Sequence, residues 1–259
     1  MAESGLSFGA ADFRASIGEL AGWGRSGADY TANLDAINRI MDSGVRRVYY
    51  PPAINEIVAG YEWTWLQPYT TLAVVSGTND YTLPDDFARF IGNIHYPADE
   101  NQKDVVIVPT AHILQYRAGT STTGYPRYAC ERWKSSDGTY GQRKETLLWP
   151  TPDVTKTMSY QYEAYVGPLT TANPYPLGGM KLAELFMESC LSVVEKRLDD
   201  ESGIHTRDYE ALITDAVIRD RKNGAAYYGP MGQNTGTEGT FRRGYTGGTY
   251  AITYDGDDV

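Results

Sequence analysis

The sequence predicts an α+β protein in which helices near both ends of the chain flank a central antiparallel β domain. Apolar residues recur at helical spacing near both ends of this body, and the stretch between them shows the alternation and turn residues of strands. A glycine- and tyrosine-rich stretch follows the second helical region. Segregation of helices from strands is the α+β pattern. We therefore expect N-terminal helices in residues 1–44, a β-rich domain in 45–176, C-terminal helices in 177–223, and an extended arm in 224–259.

The N-terminal helices are predicted from two apolar stripes within residues 10–42. Each stripe has the three- to four-residue spacing of one helix face. The stripes are Phe13, Ile17 and Leu20, then Leu34, Ile37 and Met41. Ser43 and Gly44 predict the end of the second helix, because glycine commonly follows the last helical turn.

The middle of the chain carries short β-branched and aromatic runs separated by turn residues. The clearest is residues 157–164, where Met158, Tyr160, Tyr162 and Ala164 alternate with polar residues. A helical insertion is predicted at residues 110–117, with Thr110 at its N-cap. The other strand candidates are residues 45–50, 69–75, 81–83, 90–96, 104–108, 125–133 and 146–149.

Helical spacing returns near residue 180. One helix is expected to begin after Gly179 and to end near Asp199, and a second to run over residues 208–222 with acids first and bases last, which suits the helix dipole. The following arm interleaves glycine with aromatic residues. It is too glycine-rich to build its own core, so we expect it to become ordered on a partner.

Composition narrows the class of protein. The chain has 259 residues, 41% hydrophobic and 22% charged, which is typical of a globular protein. Its formal net charge is −10 and no basic face is visible in the sequence, so a protein that grips nucleic acid is not expected. Cys130 and Cys190 stand too far apart for a zinc motif. No secretion signal or membrane span is recognised, so we expect synthesis and assembly in a reducing cytoplasm.

Catalytic and metal-binding motifs are not found. The three histidines are His95, His112 and His205, and none stands in a metal-ligand pattern. No nucleophile elbow or phosphate-binding glycine loop occurs. The sequence therefore predicts a protein without catalytic residues, cofactor or metal.

An aromatic run invites a binding interpretation. If residues 61–66 formed a strand, Tyr61, Trp63 and Trp65 would share one face. Such a face could pack in the core or anchor a subunit interface, and the sequence favours neither interpretation over the other. A sugar-stacking platform is the weaker third reading, and it would belong to a glycan-binding β-sandwich module of a virion or surface protein. A hydrolase with an unrecognised motif is a further alternative.

Four motifs, in this order, resemble the neck adaptor proteins of tailed phages, of the tail tubular protein A type. They are the tryptophan-rich residues 61–66, the pattern G-T-x-x-Y-x-L-P-x-D-F in residues 77–87, the W-P-x-P turn of residues 149–152, and a late pair of helices in residues 184–197 and 208–221. The resemblance covers roughly residues 30–222. The N-terminal 30 residues and the arm match none of these motifs.

The resemblance implies a structural head-to-tail adaptor in the neck of a virion. It also implies that the N- and C-terminal helices form a helical bundle, which the C-terminal helices of residues 177–223 complete, beside the β domain. Such adaptors form a homo-oligomeric ring, commonly of twelve copies, between the portal protein and the tail tube or nozzle protein. DNA would pass through the lumen without specific binding, and an acidic lumen would let it slide by charge repulsion. As interface residues we predict Trp63, Trp65, Tyr245 and Tyr250, with Phe87, Leu185 and Phe186 in the internal core.

Overall fold

The computed structural model describes residues 3–100, 102–119, 122–136, 141–199 and 202–223. Residues Met1–Arg221 form one compact unit. The predicted arm, with Tyr245 and Tyr250, lies outside the described residues.

The order of elements follows the predicted plan of helices, strands and helices. The helices are α1 (Ala10–Leu20), α2 (Ala28–Ala32), α3 (Leu34–Tyr49), α4 (Thr110–Gly119), α5 (Ala183–Val194) and α6 (Ile204–Asn223). The strands are β1 (Tyr69–Val74), β2 (Asp80–Thr82), β3 (Phe87–His95), β4 (Val106–Ile107), β5 (Tyr128–Trp133), β6 (Lys144–Trp149) and β7 (Lys156–Ala164). The α+β class is therefore confirmed.

Helices from both ends of the chain share one apolar core. Phe13 and Ile17 of α1 and Phe186 of α5 are fully buried in it, as is Tyr209 of α6. Each side chain of this size contributes about 1.5–3 kcal/mol when it leaves water. The N- and C-terminal helices thus depend on each other for burial, which confirms the predicted bundle.

The second helix is longer than expected. Residues 45–49 were predicted as a strand, but they continue α3 to Tyr49, and Gly44 lies inside the helix and not at its end. The predicted boundary at residue 45 therefore falls within α3. Burial explains the error, because Val45, Val48 and Tyr49 all pack into the helical core. A short apolar run of this kind fits a buried helix as well as a strand.

The β domain consists of two small sheets. One has the order β1–β7–β3 and the other the order β2–β6–β5–β4. β7 alternates as predicted, with Met158, Tyr160, Tyr162 and Ala164 on its buried face. Among the described strands β4 and β5 pair in parallel, so the β domain is not wholly antiparallel. Phe87 is buried between the sheets, as expected of a core residue.

A π-helical turn, Glu195–Asp199, continues α5. Its first residue, Glu195, is buried, and its carboxylate accepts hydrogen bonds from the backbone N–H groups of Gly203, His205 and Thr206, 3.2, 3.1 and 3.0 Å away, and from the Thr206 hydroxyl. These donors begin α6, whose first N–H groups would otherwise be unsatisfied. Burial alone would raise the pKa of Glu195, but these hydrogen bonds hold it below the ordinary value.

Candidate interaction surfaces

The aromatic run of residues 61–66 is not a strand. Thr64–Leu66 is a short 3₁₀ turn, and Trp63 is only 1% exposed in the helical core. Its indole Nε1–H donates to the Val48 carbonyl oxygen over 2.8 Å. The ring of Trp63 packs on those of Tyr61 and Trp65, with centroids 5.2 and 5.3 Å away. The three aromatics thus cluster as expected, but through a turn that folds them onto α3.

This burial bears on two of the earlier readings. The glycan-binding alternative requires an exposed Trp63, which the structure contradicts. The interface assignment of Trp63 and Trp65 stays a prediction, and Trp63 could reach a neighbouring chain only if this core opened.

The aromatic turn is fastened to the last turns of α6. The Asp220 carboxylate accepts hydrogen bonds from the Tyr61 hydroxyl at 2.8 Å, from the Thr64 N–H at 2.9 Å and from the Thr64 hydroxyl at 2.7 Å. Arg221 lies over the Tyr61 ring at 5.2 Å and donates to the Ile57 carbonyl oxygen. Asp220 and Arg221, which end the predicted late helical pair, therefore hold the tryptophan-rich turn against α6.

Trp65 lies beside an exposed apolar surface. A Cβ added at Gly178 would stand 3.3 Å from the Trp65 ring, so the chain passes closely over the indole. We call the surface formed by Leu6, Tyr175, Leu177 and Met180 the apolar patch; its members are 40–73% exposed. The N-terminal segment meets the loop before α5 here: the Ser4 hydroxyl lies 3.1 Å from the Met180 sulfur, and the Ala10 N–H donates to the Pro174 carbonyl oxygen. The same loop is held to α3, because the Leu177 N–H donates to the Tyr49 hydroxyl. Clustered exposed apolar groups of this kind mark interaction sites.

A second exposed aromatic lies in the four-stranded sheet. Trp133, at the end of β5, is 52% exposed, and the Lys144 Nζ stands 4.7 Å from its ring centroid. With Arg132, Lys134, Ser135 and Glu145 it lines a groove of about 520 Å³, which we call the Trp133 groove. Tryptophan and arginine are the residues that most often concentrate binding energy at interfaces.

Sequence reasoning missed Trp133 because it singled out aromatics that stand close together. Trp133 was assigned only to a strand, and it is the last residue of β5. Its neighbours Arg132 and Lys134 are the signal that could have found it, since arginine and lysine are almost never fully buried and the strand end between them is expected near the surface.

Two of the three histidines contact acids, and both cysteines are buried. The Nδ1 atom of His95 lies 2.9 Å from Asp104, and that of His205, in the first turn of α6, lies 2.7 Å from Glu188. Both thiols are buried, and burial raises the pKa of Cys190 to about 12 and also raises that of Cys130. Thiols with raised pKa values are poor nucleophiles.

Two features are absent from the described part of the chain. It contains no group of three or more histidine, cysteine or acidic side chains placed to hold a metal ion. None of its helices combines the length and the apolar character needed to cross a bilayer.

Comparison with known proteins identifies the family. No curated protein matches the chain. The family model described as SU10 adaptor protein matches residues 10–234, which include every described helix and strand. Because this match covers most of the chain, the protein belongs to the SU10 adaptor protein family and is a head-to-tail adaptor of the phage virion neck.

Proposed function

We propose that the chain forms a ring of identical subunits between the portal protein and the tail tube or nozzle, and that DNA passes through its lumen at ejection. The observation that carries this proposal is the presence of two exposed surfaces of different chemistry on one subunit, one apolar and one with a single aromatic ring among charged side chains. The apolar patch is formed by the N-terminal segment and the loop before α5, whereas the Trp133 groove is formed by β5 and β6.

Different surfaces are what a ring requires. In a cyclic assembly each subunit uses one patch to contact a different patch of the next subunit, and the contact repeats until the ring closes. An aromatic anchor with a cationic surround, such as Trp133 with Lys144, can bind an apolar patch on a neighbour. A self-complementary dimer would need only one such surface.

Three finer points rest on the resemblance and the family. The ring would contain twelve copies, assemble in the host cytoplasm and catalyse no reaction. The arm would grip the portal or an adjacent subunit, with Tyr245 and Tyr250 as anchors.

Co-assembly with the purified portal of the same phage tests the proposal. We expect native mass spectrometry to show one ring of twelve chains on each portal, and electron microscopy to show that ring on the tail-facing side. The substitution W133A should weaken assembly. The control substitution Y69A, at another exposed aromatic residue, should not. A chain that never joins the portal, or that joins it as single copies, would refute the ring.

A further inference from the structure

Folding gathers basic residues that stand far apart in the sequence. A groove of about 420 Å³ between α3, the π turn and α6 is lined by Arg47, Lys196 and Arg197, with Glu210 as the acid of the lining. Pro52, Ile54 and Val193 form apolar wall. The surrounding chain carries a formal charge of −10, so this concentration of positive charge runs against the composition.

More cations border the groove on the same helix faces. Ser43 lines the groove from α3, and residues three or four positions from it share its face. Arg39 and Arg46 meet that condition, and Arg207 meets it relative to Glu210 on α6. Two acids, Asp35 and Asp42, lie three or four positions from Arg39 on the same side of α3. We call the resulting set the cationic face: Arg39, Arg46, Arg47, Lys196, Arg197 and Arg207.

The six members of the cationic face form no ion pair within the described residues. None of its six members has a carboxylate oxygen within 4.0 Å there, whereas the β-domain cations Arg89, Arg117, Arg132 and Lys156 are paired with acids. Arg47 is held by other contacts: it donates to the Ser192 hydroxyl at 2.8 Å and stacks 4.5 Å from the Tyr209 ring centroid. Arg47 is thus the member whose side chain is already engaged inside the subunit, whereas the other five form no ion pair within the described residues.

The backbone under Lys196 and Arg197 is fixed. Both residues directly follow Glu195, whose carboxylate is fastened to the start of α6 by four hydrogen bonds. Both side chains are exposed on the π turn, a feature often found at functional sites. Two adjacent cations are thus presented from a backbone that does not have to become ordered on binding.

We propose that the cationic face binds the phosphate backbone of double-stranded DNA, without reading its sequence. Arg39 and Arg46 are seven residues apart on α3, which places them about 11 Å apart along the helix axis. That spacing is close to the width of about 12 Å of the DNA major groove, so the two could contact phosphates on its two sides. Arginine is also the residue best suited to phosphate, because its planar group donates two parallel hydrogen bonds.

This inference rests on the proposed function, in which the subunits surround the path of the DNA. The sequence led us to expect a lumen that repels DNA along its whole wall. The cationic face would instead give this acidic protein one defined surface that attracts DNA. An acidic protein segment is the competing occupant, because the groove also has apolar walls.

Fluorescence anisotropy of a labelled 30-base-pair duplex, titrated with the full chain at several salt concentrations, tests the inference. We expect K196E/R197E to weaken binding about tenfold at low salt and to lower the slope of log K against log salt by about 1.8, the value for two lost phosphate contacts. The matched control is K103E/K181E, which makes the same change of net charge at two exposed lysines elsewhere. It should change binding less than twofold.

The outcomes separate the alternatives. Equal losses in the two variants would attribute binding to bulk charge and overturn the proposal. Groove-dependent binding of poly-glutamate, with no binding of duplex, would assign the face to an acidic protein segment. If K196E/R197E misfolds by circular dichroism, R39E/R46E provides the same test on α3. Portal co-assembly is measured separately, so a chain that joins the portal but binds no duplex rejects this inference and leaves the proposed function standing.

Discussion

Gly44 of α3 lies directly against Cys190 of α5. A Cβ on Gly44 would stand 2.6 Å from the Cys190 Cα and 2.7 Å from its Sγ, both closer than van der Waals contact permits. The neighbouring Ser189 hydroxyl donates to the Gly44 carbonyl oxygen over 2.7 Å. The two central helices of the bundle therefore approach as closely as their backbones allow, and they do so at a glycine.

The substitution G44A tests this contact. Alanine favours helix more than glycine does, but its methyl group has no room here, so we expect a net loss of about 1–3 kcal/mol in the free energy of unfolding. Urea denaturation measures it. Gly119, at the end of α4, has open space around it, and G119A should leave stability nearly unchanged. A G44A chain as stable as the parent would show that α3 and α5 are not packed this closely.

Glu195 makes stability depend on pH in a defined direction. Its pKa is lower in the folded chain than the ordinary value of 4.5, so its contribution is complete above that value and is lost as the pH falls through the folded pKa. We expect E195Q to lose about 1–3 kcal/mol at pH 7, because the amide brings a donor to a place where donors already point. The difference from the parent should shrink toward pH 3.

Stability measured from pH 7 to pH 3 checks this expectation. The exposed Glu184, in the first turn of α5, supplies the control E184Q, which should differ from the parent by less than about 1 kcal/mol, the size of a helix-dipole contribution. A constant difference between E195Q and the parent across the range would show that the charge of Glu195 is not what matters.

Periodicity predicted the elements whose burial follows one face. The alternation in β7 and the apolar stripe of α1 predicted these two elements correctly because each element has one buried face and one face toward solvent. The C-terminal half of α3 could not be read in this way. Glycine is unusual inside a helix, so Gly44 was interpreted as a helix end. The structure shows that a side chain at this position would collide with α5, a contact that the local sequence does not reveal.

The interaction surfaces were less predictable than the fold. Clustering of Tyr61, Trp63 and Trp65 is visible in the sequence, but whether an indole faces the core or a neighbour depends on where α3 and α6 lie. The cationic face was invisible for the same reason, since Arg47 and Lys196 are brought together only by the packing of α3 against α5. Charge counted along the chain does not show charge distributed over a surface.

Asp220 should stabilise the aromatic turn locally. The substitution D220A removes the acceptor of the Tyr61 and Thr64 hydrogen bonds, and we expect a loss of about 1–2 kcal/mol together with a red shift of tryptophan fluorescence as the turn opens. The control is D215A, five residues earlier on α6. Asp215 pairs only with the exposed Arg219 in the described structure, so its loss should cost less than about 0.5 kcal/mol. Equal effects of D220A and D215A would contradict the role given to Asp220.

Removal of the arm separates folding from docking. A chain truncated after Asn223 keeps the whole compact unit Met1–Arg221, so we expect its thermal unfolding to match that of the parent. Its binding to the portal should be weakened, because the aromatics of the arm are predicted to anchor on a partner. Surface plasmon resonance on immobilised portal measures this, with Y245A/Y250A in the full chain as a finer version. Unchanged binding by the truncated chain would show that the arm does not dock.

Two tryptophans should give opposite phenotypes. W63A removes a fully buried indole and leaves the Val48 carbonyl oxygen without its donor, so we expect a loss of about 3–5 kcal/mol and little soluble protein. W133A removes an exposed ring whose contact with Lys144 is worth about 0.5–1 kcal/mol, so the fold should persist. If Trp133 anchors a neighbouring subunit, its loss should nevertheless weaken ring formation on the portal by about 30-fold, the equivalent of a 2 kcal/mol contact. Denaturation and portal co-assembly, measured on both variants, check the pair. A W133A chain that assembles like the parent would show that the Trp133 groove is not part of the subunit interface. Ring formation would then not depend on the indole that the proposal makes the anchor of the contact.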